Sequence, residues 1–213
     1  MSKILTVFID GLKPESIEHM PFLKSLNRIK RIKTEWGFSN TCHASMYSGV
    51  YPNLHEIWYL WKYSEKTSPY RWMRSLGLNK IPDIDFLKYF SYRLVKLLNK
   101  NNTSFAGIPF NTSTPFKYWP FIDTSEKKFW DEEGYIKKYP SIFDILRKNN
   151  MPFDVIGMVK KGAGYSSKIV EKYSFPSEVK PWTYFFIGDI DPMSHVYGQD
   201  SEITIERLKY IDK

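Results

Sequence analysis

Residues 4–11, ILTVFIDG, begin with a nearly continuous run of apolar and β-branched side chains that ends at Asp10. Such a run is typical of a strand buried on both faces of a parallel sheet. Residues 13–29 follow with apolar side chains at helical spacing, and residues 31–36 are compatible with another short extended piece. The opening therefore predicts a strand, a helix and a strand, the alternation from which α/β folds are built.

The same alternation returns towards the end of the sequence. Residues 141–150 have the pattern of a helix and residues 153–159 that of a strand. After a glycine-rich turn at 160–164, residues 182–191 (WTYFFIGDID) predict another buried strand. Residues 201–213 carry apolar side chains on one helical face and show no C-terminal cap signal, so we expect the chain to stop within a helix.

Acidic side chains follow both of the buried strands. Asp10 follows the first strand, and Asp189 and Asp191 follow the last one. Because open α/β sheets bind ligands outside the carboxyl ends of their strands, we expect these carboxylates to lie at a binding site. The alternative for each of them is an aspartate that caps a helix or stabilises a turn.

Composition and charge restrict the classes of function. The chain has 213 residues, 42% hydrophobic composition and a formal charge of +8, so it can bury a core and favours anionic partners. Its lysines are scattered, which favours a solvated surface over a nucleic-acid interface. The single Cys42 fits a reducing compartment. No secretory leader and no membrane span are recognisable, so the sequence predicts a cytoplasmic protein.

The middle of the chain departs from the α/β alternation. Residues 59–140 are rich in proline and aromatic side chains and contain one amphipathic helix candidate at 83–100. We therefore predict an aromatic-rich insertion or cap at 59–140, between an N-terminal part of the α/β domain at 1–58 and its continuation at 141–213. Its rings are expected either to select a substrate or to hold the cap on the sheet.

Two further groups have side chains suited to chemistry. Residues 39–49, SNTCHASMYSG, predict a helix that starts at Ser39 and ends at Gly49. The start of a helix stabilises an anion, although a serine there is also the commonest N-cap. His195 lies four residues after Asp191, a spacing that can place both on one metal ion, and its alternative is an ordinary histidine of a surface loop.

Three segments together resemble the alkaline phosphatase superfamily, and within it the type I phosphodiesterase and nucleotide pyrophosphatase branch. Residues 8–11 (FIDG) are similar to the first metal-ligand motif, and residues 39–55 (SNTCHASMYSGVYPNLH) to the nucleophile motif. Residues 191–198 (DPMSHVYG) are similar to a later metal-ligand motif, D-x-x-G-H-x-x-G. The order of the three segments agrees with the family.

The resemblance implies an alkaline phosphatase-like parallel sheet with helices on both faces and a hydrolase or transferase that acts on phosphodiester or pyrophosphate bonds. It implies two divalent ions, expected to be zinc, and Ser39 as the nucleophile. Asp10 and the Ser39 oxygen would bind one ion, and Asp191 and His195 the other. The implied substrates are small molecules or phosphodiesters of glycans or lipids; substrate identity and oligomeric state stay open.

The sequence departs from the family pattern at several positions. Glu56 stands where members have glycine, and Ser194 stands where the later motif has glycine. Leu60 stands where nucleotide pyrophosphatases have an asparagine that holds a phosphoryl oxygen. The group that stabilises this oxygen is therefore unassigned, with three candidates nearby: Trp58, Tyr59 and Lys62.

The D-H-G motif and the last histidine of the family site have no counterpart before Lys213. We therefore expect the C-terminal part of the fold to be absent and this chain alone to be inactive. Three hypotheses follow: an enzyme completed by further residues, a non-catalytic domain that keeps part of the metal site, and a sulfatase or phosphoglycerate mutase-type relative. The sulfatase is disfavoured because the C/S-x-P-x-R pattern does not follow Ser39.

Overall fold

Two compact units, each with its own sheet, make up the part of the chain that the computed structural model describes. One unit contains residues from the ranges 3–33, 146–157 and 176–213, and the other contains residues from 34–145. The described residues are 3–26, 28–36, 39–98, 114–157 and 176–213. The predicted glycine-rich turn at 160–164 lies outside them.

The first unit is built on a three-stranded parallel sheet. Its strands are β1 (Ile4–Ile9), β4 (Phe153–Ile156) and β5 (Trp182–Ile187), in the order β1-β5-β4. Ile4 lies opposite Trp182 and Ile9 opposite Ile187, so β1 and β5 end at the same edge of the sheet. The predicted α/β class and the three strands are confirmed in this form.

Two helices of this unit follow β5 along the chain. They are α7 (Ile190–Tyr197) and α8 (Glu202–Ile211), and α8 begins with a Ser201 cap that accepts the N–H of Thr204. Ile190 and Leu208 from these helices form a buried cluster with Met20. This packing holds the start of α7 beside the sheet edge at which β1 and β5 end.

The helix predicted over residues 13–29 is wrong as a single element. The chain instead forms a 3-10 helix at Pro14–His19 and a short helix α1 at Pro21–Ser25. Pro21 lacks the N–H that a continuous helix would need, and the preceding Met20 leaves the helical conformation at φ −125° and ψ 77°. The Asp212 carboxylate then accepts the N–H groups of Phe22 and Leu23 at the new helix start.

Two further predictions about extended segments are also wrong. β1 is not buried on both faces: Ile4, Leu5 and Val7 are exposed, whereas β5 is almost wholly buried. Among the described strands β1 has only one neighbour, β5, so it lies at an edge of the sheet. Residues 31–36 form no strand.

The second unit contains most of the aromatic residues. Its described sheet is the antiparallel pair β2 (Trp61–Tyr63) and β3 (Ile122–Thr124). Its helices are α2 (Ser39–Ser48), α3 (Pro52–His55), α4 (Trp72–Ser75), α5 (Asp85–Leu98) and two short 3-10 helices, Leu78–Lys80 and Phe116–Phe121. The chain passes into the first unit within α6 (Ile142–Lys148).

The aromatic side chains of this unit pack into two groups. One group is a buried cluster of Tyr70, Met73, Val95, Phe116 and Trp119. In the other, Tyr47 of α2 lies 4.8 Å from the ring of Trp130 and 5.5 Å from the ring of Phe143. Many rings of the predicted insertion therefore form a core within the second unit. Within the described ranges, no helix is long and apolar enough to cross a bilayer.

Candidate functional site

The carboxyl ends of β1 and β5 bring three of the predicted site residues into one place. Asp10 is the first residue after β1, and its N–H donates to the carbonyl of Ile187 at 2.8 Å, at the end of β5. Asp191 lies four residues after Ile187, in the first turn of α7. The parallel register of the two strands therefore determines that both carboxylates lie at this edge of the sheet.

Gly11 allows the two strand ends to approach each other. Its φ is +78°, and a Cβ at this position would lie 2.9 Å from both the Cα and the N of Asp191. A side chain would therefore be strained by the backbone angle and would collide with the start of α7. The glycine of the sequence FIDG is thus explained by the close approach of Asp191.

His195 joins the two carboxylates from α7. Its Nε2 atom lies 3.5 Å from Oδ1 of Asp191, one helical turn earlier, and its side chain is exposed. Side chains four residues apart lie on the same face of a helix, so the pair is positioned by the helix alone. The alternative of a histidine in a surface loop does not apply, because His195 lies in the last turn of a helix.

The electrostatic environment of Asp10 disfavours a negative charge. Burial raises the pKa of Asp10 to about 6, and the nearby charge of Asp191 adds to this increase. A hydrogen bond from the Gly11 N–H and the proximity of His195 lower the pKa by less. Asp10 is partly buried, and the ionised carboxylates of Asp10 and Asp191 repel each other. A cation beside them would stabilise their negative charge.

The spacing of the donor atoms is compatible with a metal ion. In a tetrahedral site with zinc–ligand bonds of about 2.0–2.1 Å, adjacent donor atoms lie about 3.3 Å apart. The 3.5 Å between His195 Nε2 and Asp191 Oδ1 is close to this value. These two residues could therefore hold one ion, with Asp10 as a neighbouring donor. In the described part of the chain, no group of three or more His, Cys, Asp and Glu side chains is placed so that it could hold a metal ion.

Asp189, the other acidic residue after β5, has a different environment. It is fully buried and accepts hydrogen bonds from Nε of Arg207, at 2.9 Å, and from Nη2 of the same guanidinium. Arg207 also lies over the ring of Tyr210 at 4.9 Å. Asp189 therefore joins α8 to the end of β5, and of the three aspartates only Asp10 and Asp191 lie with His195.

Ser39, the predicted nucleophile, is the first residue of α2 and its side chain is exposed. It belongs to the second unit, whereas Asp10, Asp191 and His195 belong to the first. The first backbone N–H groups of a helix have no partner within it, so an oxygen anion at Ser39 would be stabilised by the helix start.

The remaining reactive side chains of residues 39–55 have structural roles. His43 is buried beside Tyr47, with ring centroids 5.8 Å apart, and burial lowers its pKa to about 4. His55 Nδ1 accepts the N–H of Ile57 at 3.1 Å, so the proton of neutral His55 lies on Nε2. Nε2 therefore donates to Ser45 Oγ at 2.9 Å and cannot act as a base for that hydroxyl.

The structure explains one departure from the family pattern. Glu56, which stands where the resemblance leads one to expect glycine, ends α3 with φ 63° in the left-handed region. That conformation favours glycine and costs other residues roughly 1 kcal/mol. Glu56 therefore adopts a turn conformation that suits glycine better. Its carboxylate forms an exposed ion pair with Lys138 at 3.0 Å.

Sequence reasoning missed a buried carboxyl near the predicted nucleophile. Glu126 is almost fully buried and accepts a hydrogen bond from the Tyr135 hydroxyl. Burial raises the pKa of Glu126 to about 7, while the Tyr135 hydroxyl and the amide of Asn40, the residue after Ser39, lower it less. Glu126 precedes two lysines in the sequence, a pattern typical of an exposed charged segment, so no sequence signal indicated its burial.

Comparisons of this chain with protein-family models, with curated proteins and with solved structures gave no match. The functional argument therefore depends on the residues described above and on the sequence motifs.

Proposed function

We propose that this protein is a metal-dependent hydrolase or transferase that acts on phosphodiester or pyrophosphate bonds, with an alkaline phosphatase-like fold. The observation that carries the proposal is the meeting of Asp10, Asp191 and His195 at the carboxyl edge of the β1–β5 pair. An edge of this kind is where open α/β sheets bind their ligands. The order of the sequence motifs supports the same chemistry.

In the proposed reaction Ser39 Oγ attacks phosphorus, a new O–P bond forms, and the bond from phosphorus to the leaving oxygen breaks. The serine proton passes to solvent and the leaving oxygen takes up a proton. Water, or an acceptor hydroxyl in a transferase, then displaces the phosphoryl group from Ser39 and restores the hydroxyl. The start of α2 stabilises negative charge on the attacking oxygen and on the phosphoryl oxygens.

Asp10 would help to hold one divalent ion, and Asp191 and His195 would hold a second; zinc suits carboxylate and imidazole donors of this kind. Such ions would supply positive charge that balances the charge of the transition state. The formal charge of +8 favours an anionic substrate of this kind. A small phosphodiester or a glycan or lipid phosphodiester fits the proposal equally well.

The activity test compares two serines of the same helix. The whole protein, supplied with zinc, is assayed with bis-p-nitrophenyl phosphate as wild type, Ser39→Ala and Ser48→Ala. The Ser48 hydroxyl donates to the Ala44 carbonyl within α2, so its loss is expected to leave the rate unchanged. Ser39→Ala is expected to lower the rate by at least about 100-fold.

Two outcomes would count against the proposal. Equal rates for wild type and Ser39→Ala would remove Ser39 from the mechanism. A wild type that binds zinc but turns over none of the phosphodiesters tested would favour the non-catalytic binding domain instead.

A further inference from the structure

Helix α5 presents much of its apolar surface to solvent. The side chains on its inner face are Lys88, Ser91 and Val95, all of them buried. The side chains on its outer face are Phe86, Tyr89, Phe90, Arg93 and Leu97, all of them exposed. Their spacing of three and four residues places them in one stripe along the helix.

A surface helix usually buries its apolar face. Helix α5 packs Val95, Leu87 and Tyr92 against the core, but it also leaves a second apolar stripe exposed. Lys88 is only 5% exposed. Its ammonium group lies 3.2 Å from the Asp83 carboxylate, so the buried charge is paired. The apolar outer residues are far more accessible, with Phe86 at 72%, Phe90 at 54% and Leu97 at 65% of their full exposure. Burying these three side chains against an apolar surface would therefore be favourable.

Positive charge accompanies this apolar face. The Arg93 guanidinium lies within the stripe, 5.9 Å from the ring centroid of Tyr89. Residues 71–98 contain six Lys and Arg, two Asp and no Glu, and of the six, Lys88 is buried and Arg74 pairs with Glu65. One of the two aspartates, Asp83, is committed to Lys88 and to the N–H of Phe116. The helix thus combines aromatic and aliphatic side chains with a basic surrounding segment.

We infer that the outer face of α5 docks on an anionic phospholipid surface, with the helix lying in the plane of the interface. Apolar and aromatic side chains on one face with basic residues around them are the features of interfacial helices. Fourteen residues span about 21 Å, too short to cross a bilayer but sufficient to lie on it. This inference uses residues far from Asp10 in the sequence and does not depend on the proposed chemistry.

The charge on the protein decides between a lipid surface and other occupants. Pairing this face with a second copy would bring together two chains of charge +8 and two copies of Arg93. A nucleic acid would require a dense row of Lys and Arg along the face, whereas three of the five outer residues have wholly apolar side chains. An anionic bilayer complements both the apolar stripe and the positive charge.

The test is flotation of the whole protein with two kinds of vesicle, phosphatidylcholine alone and a 7:3 mixture of phosphatidylcholine and phosphatidylserine. Wild type is expected to partition onto the anionic vesicles at least about 10-fold more strongly than onto the neutral ones. The double variant Phe90→Ser/Leu97→Ser is expected to lower anionic partitioning by at least about 10-fold. Arg93→Gln is expected to lower it about 5-fold, with no change on neutral vesicles.

A matched control replaces two exposed apolar residues outside α5. Ile32 and Trp36 are 76% and 90% exposed, so Ile32→Ser/Trp36→Ser removes comparable surface and is expected to partition as wild type does. Because all four substituted side chains are exposed, both double variants should unfold at the same temperature as wild type, which circular dichroism checks.

Several outcomes would overturn the inference. They are equal wild-type partitioning on the two vesicle types, no partitioning on either, and equal loss in the two double variants. A dimer in solution that Phe90→Ser/Leu97→Ser dissociates, without vesicle binding by wild type, would assign the face to a second copy.

Discussion

Replacing the buried carboxyl of Glu126 by the amide of glutamine is expected to remove a pH dependence from the free energy of unfolding. An unfolded glutamate has a pKa near 4.5, and burial raises the pKa of Glu126 to about 7 in the folded protein. Between these values the unfolded chain loses the proton while the folded chain keeps it. The contribution of Glu126 to stability is therefore complete below pH 4.5 and is lost as the pH rises to 7.

The size of the effect follows from the difference in pKa. Each pKa unit corresponds to 1.36 kcal/mol, so the shift of Glu126 is worth about 3 kcal/mol between pH 4.5 and pH 7. Glutamine can still accept the hydrogen bond from the Tyr135 hydroxyl, and it does not titrate. Glu126→Gln should therefore gain stability relative to wild type as the pH rises, up to about 3 kcal/mol at pH 8.

Urea unfolding at several pH values between 4.5 and 8, followed by tryptophan fluorescence, measures this difference. Trp130 is fully buried between Tyr47 and Phe143 and reports on the same unit. Burial lowers the pKa of His43 to about 4, so its contribution is lost as the pH falls below 6.5 and opposes the slope from Glu126. The comparison must therefore be between wild type and variant, which share His43.

The control for this experiment is Glu133→Gln, at an exposed position of the same segment. It is expected to change the free energy of unfolding by less than about 0.5 kcal/mol at every pH. Parallel curves for wild type and Glu126→Gln would show that Glu126 titrates as an exposed carboxyl does, and would refute the reasoning.

Two further changes test the sheet and its attachment to α8. Gly157→Ala should destabilise the protein at least about 2 kcal/mol more than Gly198→Ala. Both glycines have φ above +90°. A Cβ at Gly157 would lie 1.9 Å from the carbonyl oxygen of Phe186, whereas no described atom lies within 4 Å of a Cβ at Gly198. Equal losses of unfolding free energy in urea for the two variants would contradict this prediction. Arg207→Met leaves the buried Asp189 without its guanidinium and should cost about 3–5 kcal/mol. Adding Asp189→Asn should recover most of the lost stability. A double variant as unstable as Arg207→Met alone would show that the buried charge of Asp189 is not the cause of the loss.

The strands and the longer helices could be predicted from the sequence because their patterns are local. The runs ILTVFI and WTYFFI form β1 and β5 within the predicted limits, and residues 39–48 form α2. The helix predicted at 83–100 is α5, which begins two residues later, at Asp85, and is described as far as Leu98. Regular spacing of apolar side chains over several turns or strand residues was sufficient in these cases.

Other features depend on contacts that the sequence does not show. The break at Pro21 is a local signal, but the apolar spacing of residues 13–29 continues across it, so the period alone was misleading. The exposure of β1 depends on its place at the edge of the described sheet. The inner face of α5 could not be predicted either, since a buried lysine is expected only when its partner, here Asp83, is known.

The candidate site was predictable to a different degree at each residue. Asp10 and Asp191 follow strands, so the parallel register brings them together, and helix α7 adds His195. Asp189 follows the same strand, but its pairing with Arg207 required knowledge of where α8 lies. Glu126 had no sequence signal, because its burial depends on the packing of the aromatic unit around it.

Zinc titration of the metal-free protein, followed by calorimetry, tests the central claim most directly, since the claim places a cation at the ends of β1 and β5. The account predicts that Asp10→Asn and His195→Ala each weaken zinc binding by at least about 10-fold. Asp200→Asn, an exposed carboxylate of the same unit, and His19→Ala should leave the affinity unchanged. Equal zinc affinities in all four variants and wild type would contradict a metal site at this edge of the sheet.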